Sequence, residues 1–483
     1  MKNSDLFKKV PFLKENVKTD SRLVTQGDIF VAIKGPLQDG HKYIPEVFRK
    51  GAGYVLSEVQ IPDLTKEQTK KLIIVKDTRK TLGRVAAYIF NNPSESLLVY
   101  GVTGTNGKTT TVFLIDKILN TAGLSAGFIS TVFTKSKKDL LCPSSMTTPD
   151  VITLNSLLSE MVMDGKKAAV IEISSHALSQ KRTYGIRLDS AVFTNISPEH
   201  LDYHKNMKAY LKDKSKIFQY LKPGGLAVIN VDNPMCCELK KSIKAPNLVT
   251  FGINNKSDVS AKNIKMSKNK TEFILTLKQI GSIEIRSKLI GKHNVYNMLS
   301  AAAALITSGL DLKRIKDGLE ASFGVPGRLE KISGNFPFRV FVDYAHTPNA
   351  LENVLSALRP LTEKRLICVF GCGGNRDKTK REIMGQVASK MCDYAILTND
   401  NPRFEDPRSI LDQIEKGMSC KGHYSIIPER RGAIKEALRI ARKNDVVVIA
   451  GKGHENYQII KDETNPFSDK MTAEELLREM GYE

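Results

Sequence analysis

The stretch Tyr100-Gly101-Val102-Thr103-Gly104-Thr105-Asn106-Gly107-Lys108-Thr109-Thr110 constrains this chain more than any other. An apolar run leads into it. After it, Val112, Ile115, Ile118 and Leu119 share one helical face, and Gly123 follows the end. The pattern is strand, glycine-rich loop, helix. Glycines let the backbone curl until its amides converge on phosphate oxygens, and the helix N-terminus adds its positive end. Lys108 offers a point charge to the outer phosphates, and Thr109 offers a hydroxyl to Mg²⁺. The spacing departs from the usual phosphate loop, because Val102 stands where the first glycine belongs and the glycines fall at Gly101 and Gly104. Gly104, Thr105, Asn106, Gly107, Lys108, Thr109 and Thr110 are the expected nucleotide contacts.

The length of 483 residues calls for about three domains at roughly 150 residues each. Residues 1–97 hold short strand-like runs, Ile29 to Ile33 and Leu72 to Val75, with helical pieces between. A turn cluster at Asn91-Asn92-Pro93-Ser94 precedes a new start. From there, apolar strands alternate with amphipathic helices: Leu97 to Val102, Ala168 to Ile173, Ala191 to Thr194 and Leu226 to Asn230. This is the mark of βαβ units and a mostly parallel sheet. Residues 247–290 alternate polar with apolar and are expected to add antiparallel strands, and a helix is expected over 294–308. A second break falls at Val325-Pro326-Gly327, after which strands recur at Arg339 to Val342, Leu366 to Phe370, Tyr394 to Leu397 and Val446 to Ala450. The expected fold class is α/β in three domains: a small N-terminal α/β domain (1–97), a central P-loop α/β domain (98–330) and a C-terminal Rossmann-like α/β domain (331–483).

Composition excludes several classes. No stretch approaches the ~20 apolar residues of a membrane span, and the N-terminus is too charged for a signal-peptide core, so the cytoplasm is expected. Seven cysteines, scattered and without a CxxC pair, fit buried thiols better than a disulfide framework or a zinc site. The net charge of +21 raises nucleic acid as a partner. However, the lysines are spread out, there is no Trp, and aromatics make up 7%, so no basic stripe with stacking platforms exists.

Three further stretches carry chemistry. Glu172 lies in the apolar strand Ala168 to Ile173, where a carboxylate is costly unless paired or on a metal. Mg²⁺ shared with phosphates is the natural partner. Beyond the next strand, Ser197-Pro198-Glu199-His200-Leu201-Asp202-Tyr203-His204 puts two histidines and two acids near the ligand-binding end of the sheet. Finally, Thr398-Asn399-Asp400-Asn401-Pro402-Arg403-Phe404-Glu405-Asp406-Pro407 follows a strand and sets opposite charges around a proline.

GVTGTNGKTTT, EISSH, SPEHLDYH, GKHNVYN, PGRLE and DYAHTP, in that order and across the whole chain, resemble the Mur ligases, ATP-dependent enzymes that add amino acids to the UDP-N-acetylmuramoyl peptide of peptidoglycan. GCGGNRD, DNPR and GKGHE resemble the branch that joins meso-diaminopimelate to UDP-MurNAc-L-Ala-D-Glu. The resemblance implies ATP and Mg²⁺, two ions of it, held by Thr109, Glu172, His200 and Lys214. Lys214 matches a lysine that the family carries as a carbamate, made by CO₂ addition. Lys108, Lys214, His200 and Glu172 would be the catalytic set. Asn294 would contact adenine, while Arg328 and Asp343 would contact ribose and phosphates. Ser21, Thr147, Thr148, Ser174, Gln180 and Arg182 match the family's UDP-sugar contacts, with Met146 standing where the family has Asn.

In the last domain, Arg376 and Arg403 would take the distal carboxylate of diaminopimelate, an Arg fork suiting its two oxygens. Glu455 and the Gly451 carbonyl would take the ammonium, and Asn401 either group. Pro402 stiffens the turn, Asp400 would orient Arg403, and Glu405 and Asp406 read as a solvated turn. A monomer is expected, with no nucleic-acid partner and no membrane span. Two alternatives stay open: a related ligase, folylpolyglutamate-type or one using L-Lys, and a P-loop nucleotide-binding protein without ligase chemistry.

Overall fold

The computed structural model describes all residues except 1–9, 14–15, 36–37, 139, 145, 241–242, 244, 246, 268–269, 420–422 and 483. The chain forms two compact units.

The first unit comprises residues 1–101, 125–191 and 216–225. Val17–Lys18, Ile29–Val31, Tyr54–Ser57 and Leu72–Ile74 pair in that order as a parallel sheet. Ile29, Val31, Leu56, Val85 and Ala86 are buried on one side of it, and Phe30, Ile44, Val47 and Val55 on the other. Alternate residues of Ile29–Val31 thus face opposite cores, as the period of two in a strand requires. In the same unit Ala168–Glu172 runs parallel to Ala126–Ile129. Its apolar residues meet Leu154, Leu158 and Met161 of the helix Val151–Met163, whose Asp150 cap accepts from Ile152 and Thr153.

The second unit comprises residues 102–124, 192–215 and 226–483. The strand Leu98–Thr103 ends in the phosphate loop, and the helix Lys108–Thr121 follows as expected. Thr111 Oγ1 lies 2.9 Å from Ser300 Oγ on the helix Lys292–Ala304, a small polar pair where two buried helix faces meet. That helix stops at Ala304 rather than at 308, because Ser308 turns its hydroxyl back onto the Leu305 carbonyl ahead of Gly309. The expectation of antiparallel strands over 247–290 holds only in part. Val259–Met266, Thr271–Leu277 and Gly281–Ser287 are antiparallel neighbours, but Asn247–Gly252 pairs in parallel on both sides.

The last part of this unit is a six-stranded sheet in the order Glu330–Lys331, Arg339–Asp343, Val446–Ala450, Leu366–Phe370, Tyr394–Leu397, Tyr424–Ile426. All neighbours are parallel except the first pair. Both faces are covered, which is why these strands read as unbroken apolar runs. Their C-terminal ends release the loops that begin at Tyr344, Gly371, Thr398 and Gly451. Among the described residues no helix is long and apolar enough to cross a membrane. Cys236, Cys368 and Cys372 are buried, as expected, but Cys142 and Cys237 are exposed; Cys420 lies outside the described residues.

Candidate active site

The phosphate loop depends on two glycines. Gly104 has φ +148°, and a Cβ there would fall 2.0 Å from Thr194 Oγ1. Gly107 has φ +82°, and its Cβ would fall 2.2 Å from Asn297 Oδ1. Neither position admits a side chain without moving its neighbour. Asn195 locks the loop from the adjoining strand end: its Oδ1 accepts from Asn106 N (2.9 Å) and its Nδ2 donates to the Asn106 carbonyl (3.0 Å). Thr105 Oγ1 accepts from Ser197 N (3.1 Å). Lys108 Nζ folds back onto the Thr105 carbonyl at 2.8 Å.

A cavity of about 310 Å³ opens beside this loop. Asn106, Gly107, Thr109, Thr110, Asn294, Arg328 and Asp343 line it, so residues expected from distant parts of the sequence converge on one space. Arg328 Nη2 donates to Thr109 Oγ1 (3.4 Å), and its guanidinium lies over the Tyr344 ring at 4.5 Å. Asn294 spends its amide nearby, donating to the Ile290 carbonyl and accepting from Asn297. Burial pushes the Asp343 carboxyl up to about 6, against the pull of Arg328 and the Leu329 amide.

His200 and Lys214 lie close to the loop. Lys214 is buried, with Nζ donating to the Gly104 carbonyl at 2.6 Å and sitting 4.8 Å from the centre of the Tyr210 ring. His200, in a left-handed backbone conformation, places Nε2 3.7 Å from Glu199 Oε1. The same oxygen is 3.4 Å from His346 Nε2, and Tyr210 OH donates to the other at 3.4 Å. Burial alone would raise the Glu199 carboxyl, but His346, His200 and Lys108 together hold it well below the usual range.

In the first unit, Glu172 is buried and accepts from Thr131 N and Thr131 Oγ1, both at 2.9 Å. Its backbone carbonyl takes Thr148 Oγ1 at 2.8 Å, and Thr148 Oγ1 accepts from Ser174 N. Arg182 donates to the Thr148 carbonyl, to Gln180 Oε1 and to Met146 Sδ at 3.5 Å. Thr147 Oγ1 accepts from Thr131 Oγ1. Thr147, Thr148, Ser174, Gln180 and Arg182 thus form one connected polar surface, and Met146 joins it through sulfur. Ser21 sits in a turn capped by Asp20, with its carbonyl taking Lys50 Nζ.

The loops of the six-stranded sheet bring Arg376, Asp400, Asn401, Pro402, Arg403, Gly451 and Glu455 to one end. Here several expectations are corrected. Arg403 is oriented by the carbonyls of Gly374 (2.9 Å) and Asn401 (3.4 Å), not by Asp400. Burial, then Arg376, lowers its pKa. Asp400 is buried at the centre of the loops with Oδ2 unbonded. Lys452, Arg430, His346 and Lys380 outweigh its burial and keep it below the usual carboxylate range. Glu455 Oε2 takes Lys452 Nζ and Asn401 Nδ2, each at 3.0 Å. Glu405 is not part of a solvated turn, whereas Asp406 is exposed as expected. Glu405 accepts from the fully buried Arg381 at 2.9 Å and also takes the Asn375 amide. Asp406 caps the helix Pro407–Glu415 through Ser409 N.

Sequence reasoning missed Asn195, Arg381, Arg430 and Lys452, and it named Glu199 only as one of two acids past a strand end, without a role. Arg430 is fully buried and makes a bidentate pair with Asp469, 2.7 Å on each arm. One signal was available: Asn195, Lys452 and Glu199 all fall within a few residues after an apolar strand, where an α/β sheet opens toward its ligand.

Matches to known families cover most of the chain: the Mur ligase family, catalytic domain, over residues 15–89; the Mur ligase middle domain over 102–305; and the Mur ligase, glutamate ligase domain over 327–453. The chain is similar to the UDP-N-acetylmuramoyl-L-alanyl-D-glutamate–2,6-diaminopimelate ligase of Clostridium botulinum, 40% identical over 480 residues, covering 97% of each chain. It is similar also to the ligase of the same name from Syntrophomonas wolfei, 42% identical over 463 residues, covering 95% of this chain and 94% of the relative. A solved structure of a ligase with that name superposes with a TM-score of 0.67 at 32% identity, covering 97% of this chain and 95% of the other.

Proposed function

The chain belongs to the Mur ligase family, with its three α/β domains in order, and from that premise we propose that it joins meso-diaminopimelate to UDP-MurNAc-L-Ala-D-Glu at the expense of ATP. Working domain boundaries are 1–97, 98–330 and 331–483. One continuous set of contacts carries this reading. Thr109 at the phosphate loop meets Arg328, Arg328 meets Tyr344, and Tyr344 OH reaches Glu455 Oε1 at 3.5 Å. The nucleotide cavity and the loops suited to a zwitterionic amino acid are therefore one connected site.

The reaction needs activation because a carboxylate does not react with an amine in water. The D-Glu γ-carboxylate attacks the γ-phosphorus of ATP, giving ADP and an acyl phosphate. The incoming amine then attacks the acyl carbon, loses a proton, and orthophosphate leaves. Several anionic groups must approach one another, so Lys108, Arg328 and the N-terminus of the helix Lys108–Thr121 act mainly by holding and neutralising charge. Thr147, Thr148, Ser174, Gln180, Arg182 and Ser21 would hold the UDP-linked substrate, Asn294 and Asp343 the nucleoside. ATP and a UDP-sugar are cytoplasmic metabolites, which supports a cytoplasmic enzyme.

The donor set fits Mg²⁺. Thr109 offers an oxygen beside the loop, and Mg²⁺ prefers oxygen ligands and shares its shell with phosphates. Within the second unit, Thr109, His200 and Lys214 would hold it; bound Mg²⁺ would supply charge neutralisation. A carbamate on Lys214 would turn an ammonium into an oxygen donor beside the loop. An orthophosphate-release assay tests these roles together. Release should require both substrates and vanish in Lys108→Ala and Lys214→Ala, with bicarbonate unable to restore the latter. Full turnover by Lys214→Ala would exclude an essential carbamate, and full turnover by Lys108→Ala would remove the phosphate loop from the chemistry.

A further inference from the structure

Lys452 is fully buried in the turn that carries Gly451 and Glu455. Its Nζ donates to Glu455 Oε2 and to Asn401 Oδ1, each at 3.0 Å. Asn401 Nδ2 donates to the same Glu455 oxygen at 3.0 Å, so the three side chains close a ring. Lys452 is also the foremost charge holding Asp400 ionised.

The charges around the ring decide what ligand it tolerates. Asp400 and Glu455 are negative; Arg376, Arg403 and Lys452 are positive. Arg430 and Asp469 form a bidentate pair that adds no net charge. One positive charge is therefore in excess even before Lys380 is counted, whose Nζ donates to the His346 carbonyl at 2.7 Å. A side chain ending in an ammonium alone adds to that excess. A side chain ending in an ammonium and a carboxylate does not.

We propose that Lys452 is the positioning residue that sets amino-acid selectivity, by neutralising Glu455 so that the loops accept an ammonium only when a carboxylate accompanies it. This rests on the ligase function proposed above. Replacing Lys452 with Met would leave two acids facing two arginines. Neither ring partner would be stranded, because Asn401 Oδ1 keeps Ile459 N (3.0 Å) and Glu455 Oε2 keeps Asn401 Nδ2.

The test is steady-state kinetics of the full-length enzyme and of Lys452→Met and Lys452→Arg, with meso-diaminopimelate and with L-lysine. In Lys452→Met the ratio of kcat/KM values should fall by about tenfold or more, the size of one charge-assisted hydrogen bond. The fall should come from KM, rising for diaminopimelate and dropping for lysine, with KM for ATP unchanged. Lys452→Arg should keep the native preference. A Lys452→Met enzyme that keeps the ratio and loses only kcat, equally for both amino acids, overturns the proposal. Should that variant not fold, Lys452→Gln reads the same ratio. Wild-type enzyme that used neither amino acid would instead sink the ligase function itself.

Discussion

Asp343 lines the nucleotide cavity and is raised by burial from the ordinary 3.8 to about 6. The folded chain thus holds this proton more tightly than the unfolded chain does. The stability it contributes is fully present below pH about 4, is lost as the pH rises through 6, and stays lost above. Two units correspond to about 3 kcal/mol. Asp343→Asn removes this component while keeping an acceptor for the Leu329 amide, so the variant should gain on the wild type by about 3 kcal/mol between pH 4 and 7. Denaturant unfolding at the two pH values measures it, and a difference that does not vary with pH would contradict the assignment. At this scale the sequence was legible where a local pattern fixes local geometry: the loop glycines Gly104 and Gly107 take positive φ, and the helix Lys108–Thr121 starts where its apolar face predicts. It was less legible where charges pair within the protein. Glu405 looks solvated because its partner Arg381 is distant in sequence and invisible until the loops fold together.

Strands were the elements most readily read from sequence. Leu366–Phe370, Tyr394–Leu397 and Val446–Ala450 form where their apolar runs predict, since a strand buried on both faces has no polar residue to blur its ends. The direction of Asn247–Gly252 was not readable, because alternation reports which faces are buried and not which way a neighbour runs. Helix starts depend on caps. Asp406 opens the helix Pro407–Glu415, with Pro407 at its first position, where a missing N–H costs nothing. Asp406→Ala should therefore cost about 1 kcal/mol of stability and leave KM for the amino acid unchanged. A large rise in that KM, with stability unaltered, would instead put Asp406 in contact with the amino acid.

For the whole molecule, the excess of positive charge finds a use without nucleic acid: ATP, a UDP-linked peptide and phosphate are all anions, and a basic protein attracts them. The resemblance of the motifs reached the family and the branch within it. The internal counter-ions, Lys452 and Arg430 above all, came only from the fold, because a buried cation and an exposed one look alike in a chain with 73 lysines and arginines. The central claim is the choice of amino acid. Mass spectrometry of the product formed from UDP-MurNAc-L-Ala-D-Glu, ATP and Mg²⁺, with meso-diaminopimelate and L-lysine offered together, tests it most directly. The mass increase should be that of one diaminopimelate residue. Predominant addition of lysine would contradict the account.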